Sequence, residues 1–178
     1  MSRTVFKSSM VVALGAWLAG CGVTQSVTDS TTSAASSIFY KQVKTLHLDF
    51  SGRASLNVDG ADMNALSVAT LVRVYQLSDN KVLEKATYDS LLSQDDRLLS
   101  ADLLDKRTLV VKPGEGAQLS VPLDNNARSV AVVALFRQPD SQPKTWRLTL
   151  TRDDLDPDRA RVIELADNLL TLRPLAKD

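Results

Sequence analysis

The sequence is poor in the side chains that carry most enzymatic chemistry. It holds one cysteine and one histidine in 178 residues, and its 21 Lys+Arg balance 21 Asp+Glu. A single histidine, His47, excludes a histidine-based metal cluster, and no serine stands in a nucleophile elbow. His47 falls on the outer phase of an alternating segment and reads as a surface residue. No stretch approaches the roughly 20 apolar residues of a membrane-spanning helix. With no cationic excess, the surface has no reason to attract nucleic acid or an anionic bilayer.

The fragments that resemble reactive motifs fail on their own terms. Gly114-Glu115-Gly116 has the look of a phosphate loop, but it follows a proline and precedes strand-like sequence, where no helix N-terminus is available to hold an anion. Asp154, Asp156 and Asp158 open with calcium-loop spacing. Arg159 then stands where that loop needs glycine, and Leu165 where it needs a bidentate acid. The pairs Asp95/Asp96 and Asp153/Asp154 suit caps and solvated turns better than acid–base work. No metal or catalytic residue is expected, and no cofactor.

The one cysteine is placed for a different purpose. Arg3 and Lys7 precede the uncharged, mostly apolar run Met10–Ala19, and Leu18-Ala19-Gly20-Cys21 closes it. A positive start, a core of about ten residues and two small residues before cysteine make the processing site of a bacterial lipoprotein. The alternative, a membrane helix with an incidental cysteine, is too short for a hydrocarbon core of roughly 30 Å. The expectation is removal of residues 1–20 and attachment of a diacylglycerol and an N-acyl chain to Cys21. Several chains make a stable anchor where one gives marginal binding. Gly22, in place of the aspartate common in retained inner-membrane lipoproteins, favours the outer membrane. Loss of Arg3 and Lys7 leaves 19 Lys+Arg against 21 Asp+Glu, a formal charge of −2. With Cys21 consumed, no disulfide is available and the fold must rest on its core.

Residues 22–37 are mostly Ser, Thr, Asp and Gln and cannot bury enough apolar surface to offset their ordering entropy. Residues 21–43 therefore read as the lipidated cysteine and a tether with a coil span of roughly 20–25 Å. An ordered helix through Ala34–Tyr40 is the weaker alternative. From Lys44 the pattern turns to period two, with Leu46, Leu48 and Phe50 on one face of a first strand. Ser51–Ser67, dense in Gly, Asn and Asp, reads as a long irregular loop. Val68–Leu77 reads as a strand and Val82–Glu84 as a short edge strand. Leucine pairs through Ala86–Leu104 give two short helices with a break at Gln94-Asp95-Asp96. Strands follow at Thr108–Lys112, Gln118–Leu123, Ser129–Gln138 at the centre of a sheet, Thr145–Arg152, Arg161–Leu165 and Leu169–Arg173. Residues 44–178 are thus one domain, an all-β, two-sheet antiparallel sandwich with a two-helix insertion.

Several of these segments together resemble a known family. Gly52-Arg53-Ala54-Ser55-Leu56-Asn57-Val58-Asp59, Val72-Arg73-Val74-Tyr75-Gln76-Leu77, the helical Tyr88–Leu104, the turn Val111-Lys112-Pro113-Gly114-Glu115, Val130–Arg137 and Trp146-Arg147 follow in the order of the type VI secretion outer-membrane lipoproteins, TssJ or SciN. The resemblance spans nearly all of residues 44–173. It implies a transthyretin-like sandwich in the periplasm, anchored to the outer membrane, that binds the periplasmic C-terminal region of the inner-membrane component TssM. It also implies that the protruding loop between the first two strands meets that partner. On this chain the loop is Asn57, Val58, Asp59, Gly60, Ala61, Asp62, Met63, Asn64, Ala65, Leu66 and Ser67. Val58 stands where relatives have a first proline and Ala61–Ser67 lacks a second, so the loop is less restricted here. Met63 and Leu66 either bury against the partner or fold back on the sandwich edge. Two other functions fit the setting: a pilot-type lipoprotein for another outer-membrane channel, or an anchored envelope enzyme, for which no constellation of residues is present.

Overall fold

A computed structural model describes residues 42–58, 66–140 and 142–175. Among them, eight strands form two four-stranded sheets: β1 (Thr45–Leu56), β2 (Thr70–Leu77), β3 (Leu103–Val111), β4 (Gly116–Pro122), β5 (Ser129–Leu135), β6 (Arg147–Thr151), β7 (Arg161–Asp167) and β8 (Leu169–Leu172). One sheet runs β4-β1-β7-β8 and the other β3-β2-β5-β6. Two helices, α1 (Lys81–Lys85) and α2 (Tyr88–Leu99), connect β2 to β3.

Alternation does the sorting. In β1 Leu46, Leu48 and Phe50 are buried, while His47 and Asp49 between them face outward. In β2 the even face, Thr70, Val72, Val74 and Gln76, is buried throughout; of the odd face, Leu71 is exposed and Tyr75 and Leu77 are buried. The odd face is the one under the helices. Tyr75 bonds Asp95 of α2, and Arg73 donates to the Leu91 carbonyl. The even face is therefore turned toward the first sheet. β5 lies between β2 and β6, with Val132 opposite Val74 and Ala131 opposite Tyr75. One of its faces fills the sandwich and the other lies beneath the helices, so a wholly apolar strand is what the position requires. Val43, at the end of the predicted tether, packs against the core.

Four sequence expectations need correction. The first strand does not stop at Phe50; it runs to Leu56, so Ser51–Leu56 is strand and not loop. Gly52 misled because glycine reads as a turn former, whereas here it is a close approach. A Cβ at Gly52 would lie 2.4 Å from the Lys112 carbonyl oxygen and 2.9 Å from Val111 Cγ1. The backbones exchange Gly52 N–H to Glu115 O and Gly114 N–H to Gly52 O, both at 3.0 Å. Second, Val82–Glu84 is helical, within α1. Asp79 accepts the Lys81 N–H at 2.9 Å and Leu83 turns into the core. Third, Leu103 and Leu104 belong to β3 and not to a helix. Leu103 pairs with Leu77, and ladder pairing overrides leucine spacing. Fourth, the sheets are not purely antiparallel, because β1 and β7 pair parallel. A parallel neighbour needs a long crossover, and the intervening second sheet supplies it.

The crossing at Gly52 gives a direct test. Gly52→Ala forces its methyl onto backbone atoms, and an overpacked site of this kind costs about 2–3 kcal/mol. Urea denaturation of the variant should show a lowered midpoint at unchanged m-value.

Candidate functional site

The end of the sandwich where β1 leaves the sheet gathers three connections. β1 closes at Leu56, and the returning limb is tied to it by the Val68 N–H on the Leu56 carbonyl at 3.2 Å. Asn57 follows with φ 54, in the left-handed region that asparagine tolerates. Its side chain is engaged on both ends: Oδ1 accepts the Arg137 N–H at 2.7 Å, and Nδ2 reaches the Ala69 carbonyl at 3.5 Å. Its own N–H donates to the Asp167 carbonyl. Asn168 Nδ2 then donates to the Val58 carbonyl at 3.0 Å. The β1–β2 limbs, the start of the β5–β6 connection and the β7–β8 turn thus meet at one buried asparagine.

The predicted partner-binding residues divide accordingly. Asn57 is 2% exposed and Leu66 64% exposed. Val58 and Ser67 are half-buried. Asp59, Gly60, Ala61, Asp62, Met63, Asn64 and Ala65 lie outside the described residues, as does Cys21 with the predicted signal segment 1–20. Arg137, Asp167 and Asn168 escaped the sequence reading. The Asp167-Asn168 pair between two apolar runs is a readable turn signal; the Arg137 N–H is a backbone donor and leaves no trace in sequence.

The helical insertion has its own anchors. Thr87 and Ser90 form a reciprocal capping box at the start of α2. The break expected at Gln94-Asp95-Asp96 is a kink, with Gln94 at φ −142 and ψ 29. Past the kink Asp95, 6% exposed, meets Tyr75 Oη at 2.8 Å, Lys106 Nζ at 3.0 Å and Arg73 Nη1 at 3.1 Å. Burial alone would raise the Asp95 pKa; hydrogen bonds from Lys106 and Tyr75 and the charges of Arg73 and Lys106 outweigh it and hold the carboxyl below its ordinary value. The Tyr75 hydroxyl is pushed well above its own, by burial first and by Asp95 second. At the other end Arg147 bonds the α1 carbonyls of Leu83 and Glu84, and Tyr88 sets its ring edge-on to Trp146 at 5.2 Å. The Tyr88 hydroxyl donates to the Phe136 carbonyl, one residue from the Asn57 contact.

Elsewhere the polar groups serve the fold. Both hydrogen bonds of the Asp154 carboxylate are from Thr151, its carbonyl accepts from Arg161, and Asp156 accepts from the Asp158 and Arg159 N–H groups. Those carboxylates are held by the chain's own turns. His47 shares a hydrogen bond with Ser120 at 3.0 Å in a shallow, open depression of about 280 Å³. An open depression excludes little water.

Residues 44–168 match the model of a family described as type VI secretion lipoproteins, VasD, EvfM and TssJ. The chain belongs to the type VI secretion lipoprotein family. The solved structures agree. A chain of a type VI membrane complex is 38% identical, with a TM-score of 0.70, and the match covers 75% of this chain and 100% of that one. A chain in the structure described as the TssM C-terminal domain from EAEC is 36% identical, TM-score 0.67, with the same coverage. The lipoprotein TssJ1 from Pseudomonas aeruginosa, at 23% identity, TM-score 0.61 and coverage of 75% and 98%, shares the fold. Comparison with curated protein sequences gives no match. The chain is thus a structural, membrane-associated component of type VI secretion.

Asp95 generates a pH-dependent expectation. Asp95→Asn keeps the shape and removes the charge that three donors share, at a cost of about 2 kcal/mol. Folding depresses the Asp95 pKa, so its contribution is complete above the unfolded carboxylate range near pH 4 and is lost as pH falls through the lowered folded value. Denaturation midpoints of the parent and the variant should differ at pH 7 and converge as pH drops below about 4.

Proposed function

We propose that this chain is anchored in the outer membrane through lipid on Cys21 and binds the periplasmic C-terminal region of TssM, with the β1–β2 loop at the contact. The observation that carries the reading is the likeness, at 38% identity over 75% of this chain and 100% of the other, to a chain of a type VI membrane complex. The 36% identical chain in a TssM C-terminal structure points the same way. The mechanism is physical and needs no cofactor. Lipid fixes one end of the protein, the Ser/Thr-rich segment gives reach, and a rigid sandwich presents its loop end. Confinement at the membrane raises the effective concentration of that end for a partner rooted across the periplasm. Among the described residues of the loop, Leu66 is the apolar side chain standing in solvent, at 64% exposure, as suits an anchor that buries on association.

The test titrates the full chain, solubilised in detergent, against the purified periplasmic C-terminal region of the TssM protein from the same secretion cluster. Saturable binding is expected, weakened at least tenfold by Leu66→Glu. That surface change should leave the thermal midpoint where it was, because it disturbs no packing. Absence of binding by the intact chain would overturn the partner; binding indifferent to Leu66→Glu would move the contact away from this part of the loop. For the anchor, Cys21→Ser should shift the protein from the outer-membrane fraction of a density gradient to the soluble periplasmic fraction. Retention with the membrane would remove Cys21 as the attachment point.

A further inference from the structure

Three features of the domain lie outside the proposed binding function. One is an apolar row across the outer face of the second sheet, Val110, Leu71 and Leu135, in register on three neighbouring strands; nothing indicates what covers it. Another is Glu164 between Arg53 and Arg173, whose two guanidinium groups both pair with it at the surface and leave none of the three unpaired to recruit a partner. The third is the buried Asn57, and it carries an argument.

Resting on the proposed role of the loop end, we propose that Asn57 is a positioning residue for partner binding and not a contact. It is 2% exposed, so a partner cannot reach it without opening the fold. Its short bond runs to the Arg137 N–H of the β5–β6 connection at 2.7 Å, while its amide reaches back to Ala69 on the returning limb at 3.5 Å. The backbone adds a third tie, to Asp167 in the β7–β8 turn. One side chain therefore joins segments 80 and 12 residues away in sequence. The carbonyl of Phe136, beside Arg137, accepts from the Tyr88 hydroxyl of α2. Through these two adjacent residues the helical insertion and the loop base brace the same short piece of chain. The left-handed φ of 54 directs the chain out of β1 at this point. Asparagine combines tolerance of that conformation with a side-chain acceptor, which alanine, valine and glycine cannot do.

The consequence for binding follows from populations. When the binding-competent arrangement is only part of the ensemble, apparent affinity falls by that fraction. Loss of a buried hydrogen bond of this type is enough to reduce the competent fraction to about a tenth.

One substitution separates the possibilities. Asn57→Gly keeps the backbone conformation and removes both side-chain ties. The full-length parent and variant in detergent are followed by amide hydrogen exchange and by titration with the purified periplasmic C-terminal region of TssM. Asn57→Gly is expected to speed exchange at the Arg137 amide by about tenfold, leave the β5 amides protected, and weaken binding about tenfold. Unchanged Arg137 exchange in the variant, or loss of protection throughout β5, overturns the latch. Faster exchange with undiminished affinity overturns the positioning role and leaves Asn57 a purely structural residue. If the intact chain does not bind the TssM region, the partner reading fails and the positioning role with it, while the exchange comparison still decides whether the latch exists.

Discussion

A buried carboxylate governs how the second sheet is arranged. Asp95 sits 6% exposed on the far side of a helix kink and satisfies Tyr75, Lys106 and Arg73 at once. An unpaired charge at that depth would be strongly destabilising, so the three donors and the acid must arrive together. Tyr75 and Arg73 come from β2, Lys106 from β3, and Asp95 from α2. Their meeting fixes the helical insertion on the outer face of the sheet. The helices then cover the odd face of β2 at Arg73 and Tyr75, leaving Leu71 exposed, and the outward face of β5, while the first sheet covers the inward face. With a single cysteine in the sequence no disulfide can form within the chain, and double coverage of β5 is where this domain concentrates its packing.

Much of this was readable from residue order. Period two placed Leu46, Leu48 and Phe50 in the core, and the unbroken apolar run of Val130–Leu135 placed β5 inside a sheet, because both signals report burial directly. The break near Gln94 was readable as well, since two adjacent acids rarely continue a buried helical face. What escaped depends on partners distant in sequence. Asp95 and Asp96 look alike in sequence, yet Asp95 is 9% exposed at its side chain and Asp96 72%. Only the position of Tyr75, twenty residues earlier, distinguishes them. Gly52 carries the same ambiguity. A glycine permits a turn or a close backbone approach, and the decision rests with Lys112 and Glu115 across the sheet. The parallel β1–β7 pairing is a property of topology and has no local signature.

The candidate site was legible in the same uneven way. The density of Gly, Asn and Asp located a loop after β1, but six residues of the segment assigned to it, Ser51–Leu56, are strand. Continuing the strand to Leu56 carries the chain to the end of the sandwich before it turns, so that the exit point coincides with the β5–β6 connection and the β7–β8 turn. Asn57 was expected in the loop as a contact residue; its burial places it at the base. Polar residues at such bases are spent on backbone donors and acceptors that sequence does not display.

These two buried polar groups divide the labour of an assembly protein. Effective concentration at a membrane multiplies affinity only for a face already in its binding arrangement, because a disordered face returns part of the gain as ordering entropy on association. A tether long enough to give reach therefore works best with a rigid head. Asp95 holds the helices to the sheet, and the Tyr88 bond carries that rigidity to Phe136. Asn57 passes it from Arg137 to the exit of β1, from which the exposed Leu66 limb departs and returns. The route from the core to the loop end is a short chain of hydrogen bonds across elements that are themselves packed, so the stiffness of that end resides in its base.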